Sequence, residues 1–593
     1  MTITTILQTI REQLCQQQRL LLPTAESLNF SLEKPPEADF GDFATNFALI
    51  LFPQLPLPKS PKSPRSLAEE IAANLQNAPE ITSLVEKITV AGAGFINFYL
   101  SAKVKQQLVV EQLSMSAPSI VDFGQQKEVL VEFSSPNIAK PFTIAHLRST
   151  IIGAAVANLL ETSGYKVYRD NHLGDWGTQF GKQLVALEKW GNLEEIENSG
   201  APIKKLVDLY VRFHQEAEQQ PRLVDEARET FSKLEKKDQN LLSKWQKIID
   251  ISMKEFDKIY SKLGIQFSEN EGKGYGESFA LQFTESVIDE LRKQNLLKES
   301  QGAQIVEFAP ADHLPPLIIV KNDGSSIYAT RDLATDQFRR QKYGPEIIII
   351  NEVGKEQSLY FRQLYRVEEL LGWFKPGQRI HVGHGLYRFK DRKMSTRKGE
   401  IIWLNDVLES VLTRVTEINP DLPLVDREKI SLGAIKWNDL SREAASDIDF
   451  DLEQMLNLKG NSGAYLQYTT VRARSVLKKA ENEVFAGFPL LQWWSKEKNA
   501  DLKEFFAKQK IVADEMALLN QLLRYPTSLQ MATEKLAPHI LATYLYQLAQ
   551  EFNNFYNAGK IGDNLWRLSL TKLTEMILNN GLCILGIQIP DKM

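Results

Sequence analysis

Cysteine is nearly missing from this chain of 593 residues: only Cys15 and Cys583 occur, with no CxxC pair. That excludes a disulfide framework and a structural zinc site, and it fits a reducing compartment. A membrane span is missing as well. The strongest apolar run, EIIIINEVG from Glu346 to Gly354, is strand length and closes on a turn signal, whereas a spanning helix needs about 18 such residues. The N-terminus has no signal-peptide pattern, because Ile3, Ile6, Leu7, Ile10 and Leu14 form a helical stripe interrupted by Arg11 and Glu12. These gaps predict a soluble, cytoplasmic protein without membrane contact. Nor does the charge lean one way: 70 basic residues face 75 acidic ones, for a net charge of -5. Bulk attraction to nucleic acid is therefore excluded, and any such partner has to be met by local patches. Internal repeats and low-complexity tracts are also absent, apart from LPLPKSPKSPRS from Leu55.

What is present is a folded, multidomain chain. Hydrophobic residues at 43% and charged residues at 24% exclude wholesale disorder, and the length suits about three to five domains. Residues 1 to about 115 read as a small α+β domain with an opening helix, an amphipathic helix at Leu67 to Leu75, and a strand in AGAGFINFYLS. From Glu128 the texture changes. EVLVEF is a buried strand, SSPNIAKPFT a Pro-interrupted turn, IAHLRSTIIGAAVANLLETSG a helix closed by Gly164, and KVYRDN a second strand. That order is a βαβ unit, which implies a doubly wound parallel sheet of Rossmann type with ligands at the strand carboxyl ends. Long charged helices from about 190 to 300 read as an insertion. The sheet is expected to resume with LIIV, a hairpin signal at Asn322 to Gly324, the helix ATRDLATDQFRRQK, EIIIIN, a helix to Leu371, and RIHVGHG. The catalytic unit is thus expected at 120–405 and an all-α bundle at 406–593.

Two segments carry candidate chemistry. The strand-to-helix turn at 134–146 ends in His146 at a helix N-terminus, where free N–H groups and the helix dipole suit a polyphosphate. Alone, it is also compatible with an ordinary βα turn and a satisfied histidine. The second segment, KDRKMSTRKGE from Lys390, places Lys393, Arg397 and Lys398 around Ser395, either as a phosphate clamp or as a solvated surface turn.

Together the two segments resemble the signature pair of class I aminoacyl-tRNA synthetases, His-Ile-Gly-His and Lys-Met-Ser-Lys-Ser. The resemblance is strongest to the arginyl-tRNA synthetase family. It runs through VEFSSPNIAKPFTIAHLRSTIIG, SSIYATRDLA, EVGKEQSLYFRQL, MSTRKGE, IKWNDLSR and GNSGAYLQYTTVRARS, and above all through the block from Asn171 to Gly181. His381 in HVGH matches the first signature more literally than Thr143 to His146 does. It ends a late strand and opens no helix, so it and His384 read as structural.

The resemblance implies an ATP-dependent ligase that activates arginine and transfers it to tRNA(Arg), with Mg2+ arriving bound to ATP, no protein metal site, and a monomeric chain. It places Thr143, Ala145, His146, Lys393, Met394 and Ser395 around ATP. Glu132, Asn137, Tyr328, Asp332 and Gln357 are placed around arginine, the carboxylates suiting a planar guanidinium. The bundle is expected to meet the anticodon through aromatic and basic side chains such as Tyr465, Tyr468 and Arg472, and the N-terminal domain to meet the tRNA elbow. The sequence departs from the family pattern in three places. Thr143 replaces the first histidine and Ala145 the glycine, which leaves an inactive, synthetase-like tRNA-binding protein as the alternative reading. The final lysine of the second signature is replaced by Thr396, so another cation has to serve the departing phosphates. Lys140 and Arg397 are the candidates, and Lys140 is favoured because its turn is anchored on the sheet.

Overall fold

The structure, a computed structural model, describes residues 3 to 593 apart from 24–27, 34, 36–39, 57–60, 116–117, 119–121, 323–326, 389–401, 458–459, 484–493 and 495–497. The central sheet consists of β1 (Glu128–Glu132), β2 (Lys166–Asp170), β3 (Ile348–Gly354) and β4 (Arg379–His384), all parallel, in the order β4-β3-β1-β2. Helix α1 (Ile144–Thr162) connects β1 to β2. Helix α2 (Tyr328–Tyr343) precedes β3, and α3 (Ser358–Leu370) leads to β4. Along β1 the side chains alternate between two cores. Val129 and Val131 enter the one shared with α1, and Leu130 enters the one shared with α2 and α3. Burial on both faces is why this strand reads as a continuous apolar run and not as an alternating one.

The order of connection reverses between β1 and β3, which opens a crevice at their carboxyl ends. The helices of the insertion follow Trp190. The longest of them, Gln239–Leu263, begins where Asp238 accepts hydrogen bonds from the Asn240 and Leu241 amides, and it stops at Gly264 with φ +65°.

Two expectations need correction. LIIV at Leu317–Val320 does not resume the parallel sheet; it is an outer strand of a separate antiparallel sheet with Leu297–Ser300 and Ala303–Val306. Gln301 and Gly302 both adopt positive φ, which closes a tight hairpin between those two strands, and LIIV adds antiparallel to the second of them, Ala303–Val306. Ile318 is 46% exposed, which a central strand would not allow. Asp323 and Gly324 of the hairpin signal lie outside the described residues. Past residue 406 the chain is not wholly helical either, since Ile448–Asp449 pairs in parallel with Tyr387–Arg388.

The remaining C-terminal chain is a bundle in which α4 (Gly463–Glu483) packs on α5 (Leu565–Ile584). Its apolar core is continuous with that of α1 and the sheet, whereas the N-terminal helix Ile3–Leu21 and its antiparallel sheet enclose a core of their own. The buried Arg148 of α1 ties the regions together. It pairs with Asp439 at 3.1 Å and donates to the carbonyls of Ser446 and Ala444. No helix among the described residues is long and apolar enough to cross a membrane.

Gly153 lets α1 lie on the sheet, because a Cβ there would fall 2.2 Å from that of Phe133, the residue after β1. Overpacking of this kind costs roughly 1–3 kcal/mol. Gly153→Ala is therefore expected to lower the calorimetric unfolding midpoint and, by lifting the helix that carries His146, to lower activity as well.

Candidate active site

The turn after β1 is strained. Ser134, Ser135 and Ala139 adopt φ values of +77°, +30° and +59°, a region that L-residues enter only when the surroundings force them. Here the surroundings do so from two sides. The Ser134 amide donates to Ser149 Oγ of α1 at 2.9 Å, and its hydroxyl bonds Thr150 and Tyr260. The Ala139 amide donates to Ser252 Oγ of the Gln239–Leu263 helix at 3.1 Å. Lys140 leaves the backbone directly after this anchored point.

The turn delivers Thr143 as the extended N-cap of α1. Its amide lies 3.0 Å from His146 Nδ1. A backbone N–H can only donate, so Nδ1 accepts and the ring proton resides on Nε2. Burial, followed by the nearby Lys140 charge, pushes the imidazole down to about 4, so His146 is a neutral donor near neutral pH. It stands at the positive end of a 19-residue helix, beside an exposed Ala145. Trp403 pairs with Thr143, and the Leu404 amide donates to the Phe142 carbonyl at 3.0 Å. The chain that follows the second signature is thereby joined to the mouth of α1. Lys393, Met394, Ser395 and Arg397 lie outside the described residues.

At the carboxyl ends of β1 and β3 lies a cavity of about 270 Å³. Its walls bring together Glu132, Asn137, Tyr328, Asp332 and Gln357. They also contain residues that sequence reasoning did not single out, namely His172, Glu277, Tyr360 and Arg339. Glu132 pairs with Arg339 at 2.6 Å. Burial works to protonate it, but the Arg339 and His172 charges win and hold it down to about 2. The Tyr360 hydroxyl donates to Asp332 Oδ2. Glu277 pairs with Arg331 at 3.0 Å, and burial raises its pKa. The cavity is thus lined by carboxylates suited to a cation.

The block from Asn171 to Gly181 laces this cavity to the turn. The Ile138 amide donates to the Gly174 carbonyl and the Gly174 amide to that of Pro136. A Cβ on Gly174 would fall 2.4 Å from Asn137 Oδ1, so only glycine permits the approach. His172 lies in this block, so a signal for it was present; Glu277, alone after the inserted helices, offered none.

Tyr465, Tyr468 and Arg472 share a cluster on α4, in the bundle. The Arg472 guanidinium lies over Tyr468 and Tyr556, 4.6 and 4.9 Å from the ring centres, and donates to Asn553, which donates to the Tyr465 hydroxyl. His381 stacks on Phe361 and His384 bonds the buried Glu352. Among the described residues, no group of three or more His, Cys, Asp or Glu side chains is placed to hold a metal ion.

A switch-point crevice with a histidine-bearing helix end on one side and a carboxylate-lined cavity on the other is the arrangement of the class I tRNA synthetases, and the family model "tRNA synthetases class I (R), catalytic domain" matches residues 107–452. The "Arginyl tRNA synthetase N terminal domain" matches residues 4–100 and the "DALR anticodon binding domain" residues 466–593. The chain belongs to the arginyl-tRNA synthetase family. It is 37% identical to the arginine–tRNA ligase of Clostridioides difficile, with 98% of each chain covered, and 35% identical to that of Exiguobacterium sibiricum, with 96% of each covered. The fold is shared with the arginyl-tRNA synthetases of Plasmodium falciparum (TM-score 0.81, 23% identity) and Thermus thermophilus (0.76, 24%), each alignment covering both chains fully. The helices Leu404–Ile418 and Leu424–Leu440 fall within the catalytic match, consistent with the bonds that Leu404 and Asp439 make to α1 and its approach.

His146 takes up its proton near pH 4 in the folded protein and near 6.5 when unfolded. The unfolded chain therefore binds more protons between those values, and the stability contribution, complete above pH 6.5, falls as pH drops toward 4. The stability of wild type relative to His146→Gln is expected to shrink by on the order of 2 kcal/mol across that window, read as the difference in thermal midpoints at each pH.

Proposed function

We propose that the cavity holds arginine and that the adjacent end of α1 holds the triphosphate of ATP. The chain is an ATP-dependent arginine–tRNA ligase. It converts arginine and ATP to arginyl adenylate and pyrophosphate, and then passes the arginyl group to tRNA(Arg). The observation that carries the site assignment is the convergence of Glu132, Glu277 and Asp332 on one cavity beside a helix N-terminus. Asp332 and Glu277 receive the guanidinium with Tyr328, while Glu132, Asn137 and Gln357 hold the α-ammonium and α-carboxylate. The α-carboxylate then attacks the α-phosphorus in line, and pyrophosphate leaves.

Catalysis in this reading is positioning and charge stabilisation. His146 donates its Nε2–H to a phosphate oxygen, and Thr143 adds a hydroxyl. Ala145 and Met394 border the adenine. Ser395, with Lys393 and Arg397, closes over the phosphates. Mg2+ enters with ATP as part of the substrate. The Tyr465, Tyr468 and Arg472 cluster stacks anticodon bases, and the N-terminal domain touches the tRNA elbow. The chain works as a monomer in the cytoplasm.

The assignment is tested by aminoacylation and by arginine-dependent pyrophosphate exchange in the presence of tRNA. Asp332→Asn keeps the shape but loses a charge-assisted pair, so kcat/KM for arginine is expected to fall roughly 30-fold to 1000-fold with ATP binding little changed. A fall of less than threefold would make Asp332 a structural acid.

Lys140 supplies the charge that Thr396 cannot. Lys140→Ala is expected to slow exchange about 100-fold, the worth of one charge-assisted contact made in the transition state, and Thr396→Lys in that background to restore much of it. Near-normal exchange in Lys140→Ala alongside a large loss in Arg397→Ala would move the role to Arg397.

A further inference from the structure

His172 faces the cavity from the loop after β2; one ring nitrogen is hydrogen-bonded, and the other, buried and without a hydrogen-bond partner among the described residues, lies within ion-pair distance of a carboxylate. Nδ1 lies 3.0 Å from the Tyr275 carbonyl oxygen, which can only accept, so Nδ1 carries a proton. Nε2 lies 3.5 Å from Asp332 Oδ1, and the other oxygen of that carboxylate accepts from Tyr360. A bare Nε2 would set its lone pair against a carboxylate oxygen, so this nitrogen is protonated as well. The charges around the ring agree. Asp332 and Glu132 face it from α2 and β1, Asp175 from its own loop and Glu277 from the segment before α2, against the cation of Arg339 and, beyond Glu277, that of Arg331. Burial opposes the charged ring, yet the Asp332 and Glu132 carboxylates beside it raise it to about 10.

We propose that the His172 imidazolium is the free protein's own stand-in for the substrate guanidinium, occupying the cationic place beside Asp332 and releasing its Nε2 proton to solvent when arginine enters. The inference rests on the reading of this cavity as the arginine site. A guanidinium presents donors only, so a protonated Nε2 is the wrong partner for it and a neutral Nε2, keeping Nδ1–H on the Tyr275 carbonyl, is an acceptor. One proton leaving thus converts the wall from donor to acceptor. A second cation about 5 Å from the ring, at an effective dielectric constant of about 20, weakens proton binding on the order of 100-fold, and the guanidinium also takes over the Asp332 oxygen. Before arginine arrives, the imidazolium spares the buried carboxylates an uncompensated charge. His172 is in this sense a specificity residue, since a ligand without a cationic head has no means of expelling the proton.

The direction of the linkage follows. Where pH lies below the proton affinity of the free site and above that of the loaded one, binding releases a proton and arginine affinity rises with pH. The test is isothermal titration of arginine into the full-length protein with tRNA(Arg) bound and ATP omitted, at pH 7.0, 7.5 and 8.0, in buffers of different ionisation enthalpy. Wild type is expected to release between about one half and one proton per arginine, with the dissociation constant falling several-fold over that unit of pH. His172→Asn, whose amide can still donate to the Tyr275 carbonyl, is expected to bind arginine with no release and no pH trend. Absence of proton exchange in wild type, or equal release in His172→Asn, overturns the proposal. Should His172→Asn fail to fold, histidine-selective ¹⁵N labelling of wild type serves instead. One of the seven histidines is expected to be doubly protonated at pH 8 and to become neutral on adding arginine; no such response overturns the proposal. If Asp332→Asn binds arginine as tightly as wild type, the arginine-site reading itself fails and takes the proposal with it.

Discussion

Three carboxylates from three elements converge on one buried guanidinium. Glu132 at the end of β1, Asp170 at the end of β2 and Asp336 of α2 all pair with Arg339, at 2.6, 2.7 and 3.0 Å. Asp336 also pairs with Arg379 of β4, which pairs in turn with Glu368 of α3 at 2.7 Å. Such a cluster adds little net stability over an apolar core, but removing one member leaves a charge stranded, at a cost of about 3–5 kcal/mol. The outcome is geometric. The sheet and the helices α2 and α3 are fixed to one another beneath the cavity, and Glu132 is held ionised in its wall.

The two halves of the site are built by different means. The cavity is rigid because its polar groups are paired below the surface. The side at the end of α1 is held in a backbone conformation that costs energy, with Ser134 and Ala139 kept at positive φ by hydroxyls of α1 and of the Gln239–Leu263 helix. Strain of this kind persists only where neighbours over-determine it. The inserted helix therefore has a definite part in the active site: its Ser252 and Tyr260 hold the turn from which Lys140 emerges.

Much of this was legible in the amino-acid sequence, for identifiable reasons. β1 and α1 were readable because burial on both faces gives β1 an unbroken apolar run and Gly164 stops the helix, and β2 because a strand is due where that helix ends. The five arginine-site candidates were reached through resemblance, and the structure sets all five in one cavity. LIIV was misplaced because a short apolar run looks the same in a parallel core as in an antiparallel sheet, and only the exposure of Ile318 distinguishes them. Arg339 was invisible because ATRDLATDQFRRQK reads as a charged, solvated helix, and nothing local marks which arginine turns inward. His172 and Glu277 escaped because their meaning depends on Asp332, distant from both along the chain.

The junction at Phe142–Leu404 bears on how the second signature acts. Residues 387–388 are fixed by pairing with Ile448–Asp449, and residues 402–404 by pairing with the approach to α1. Whatever path lies between, both ends of the segment bearing Lys393, Ser395 and Arg397 are tethered within the catalytic region. Any encounter of that segment with a ligand held at the end of α1 is then an intramolecular event, governed by a local effective concentration on the order of millimolar or above and insensitive to how dilute the protein is.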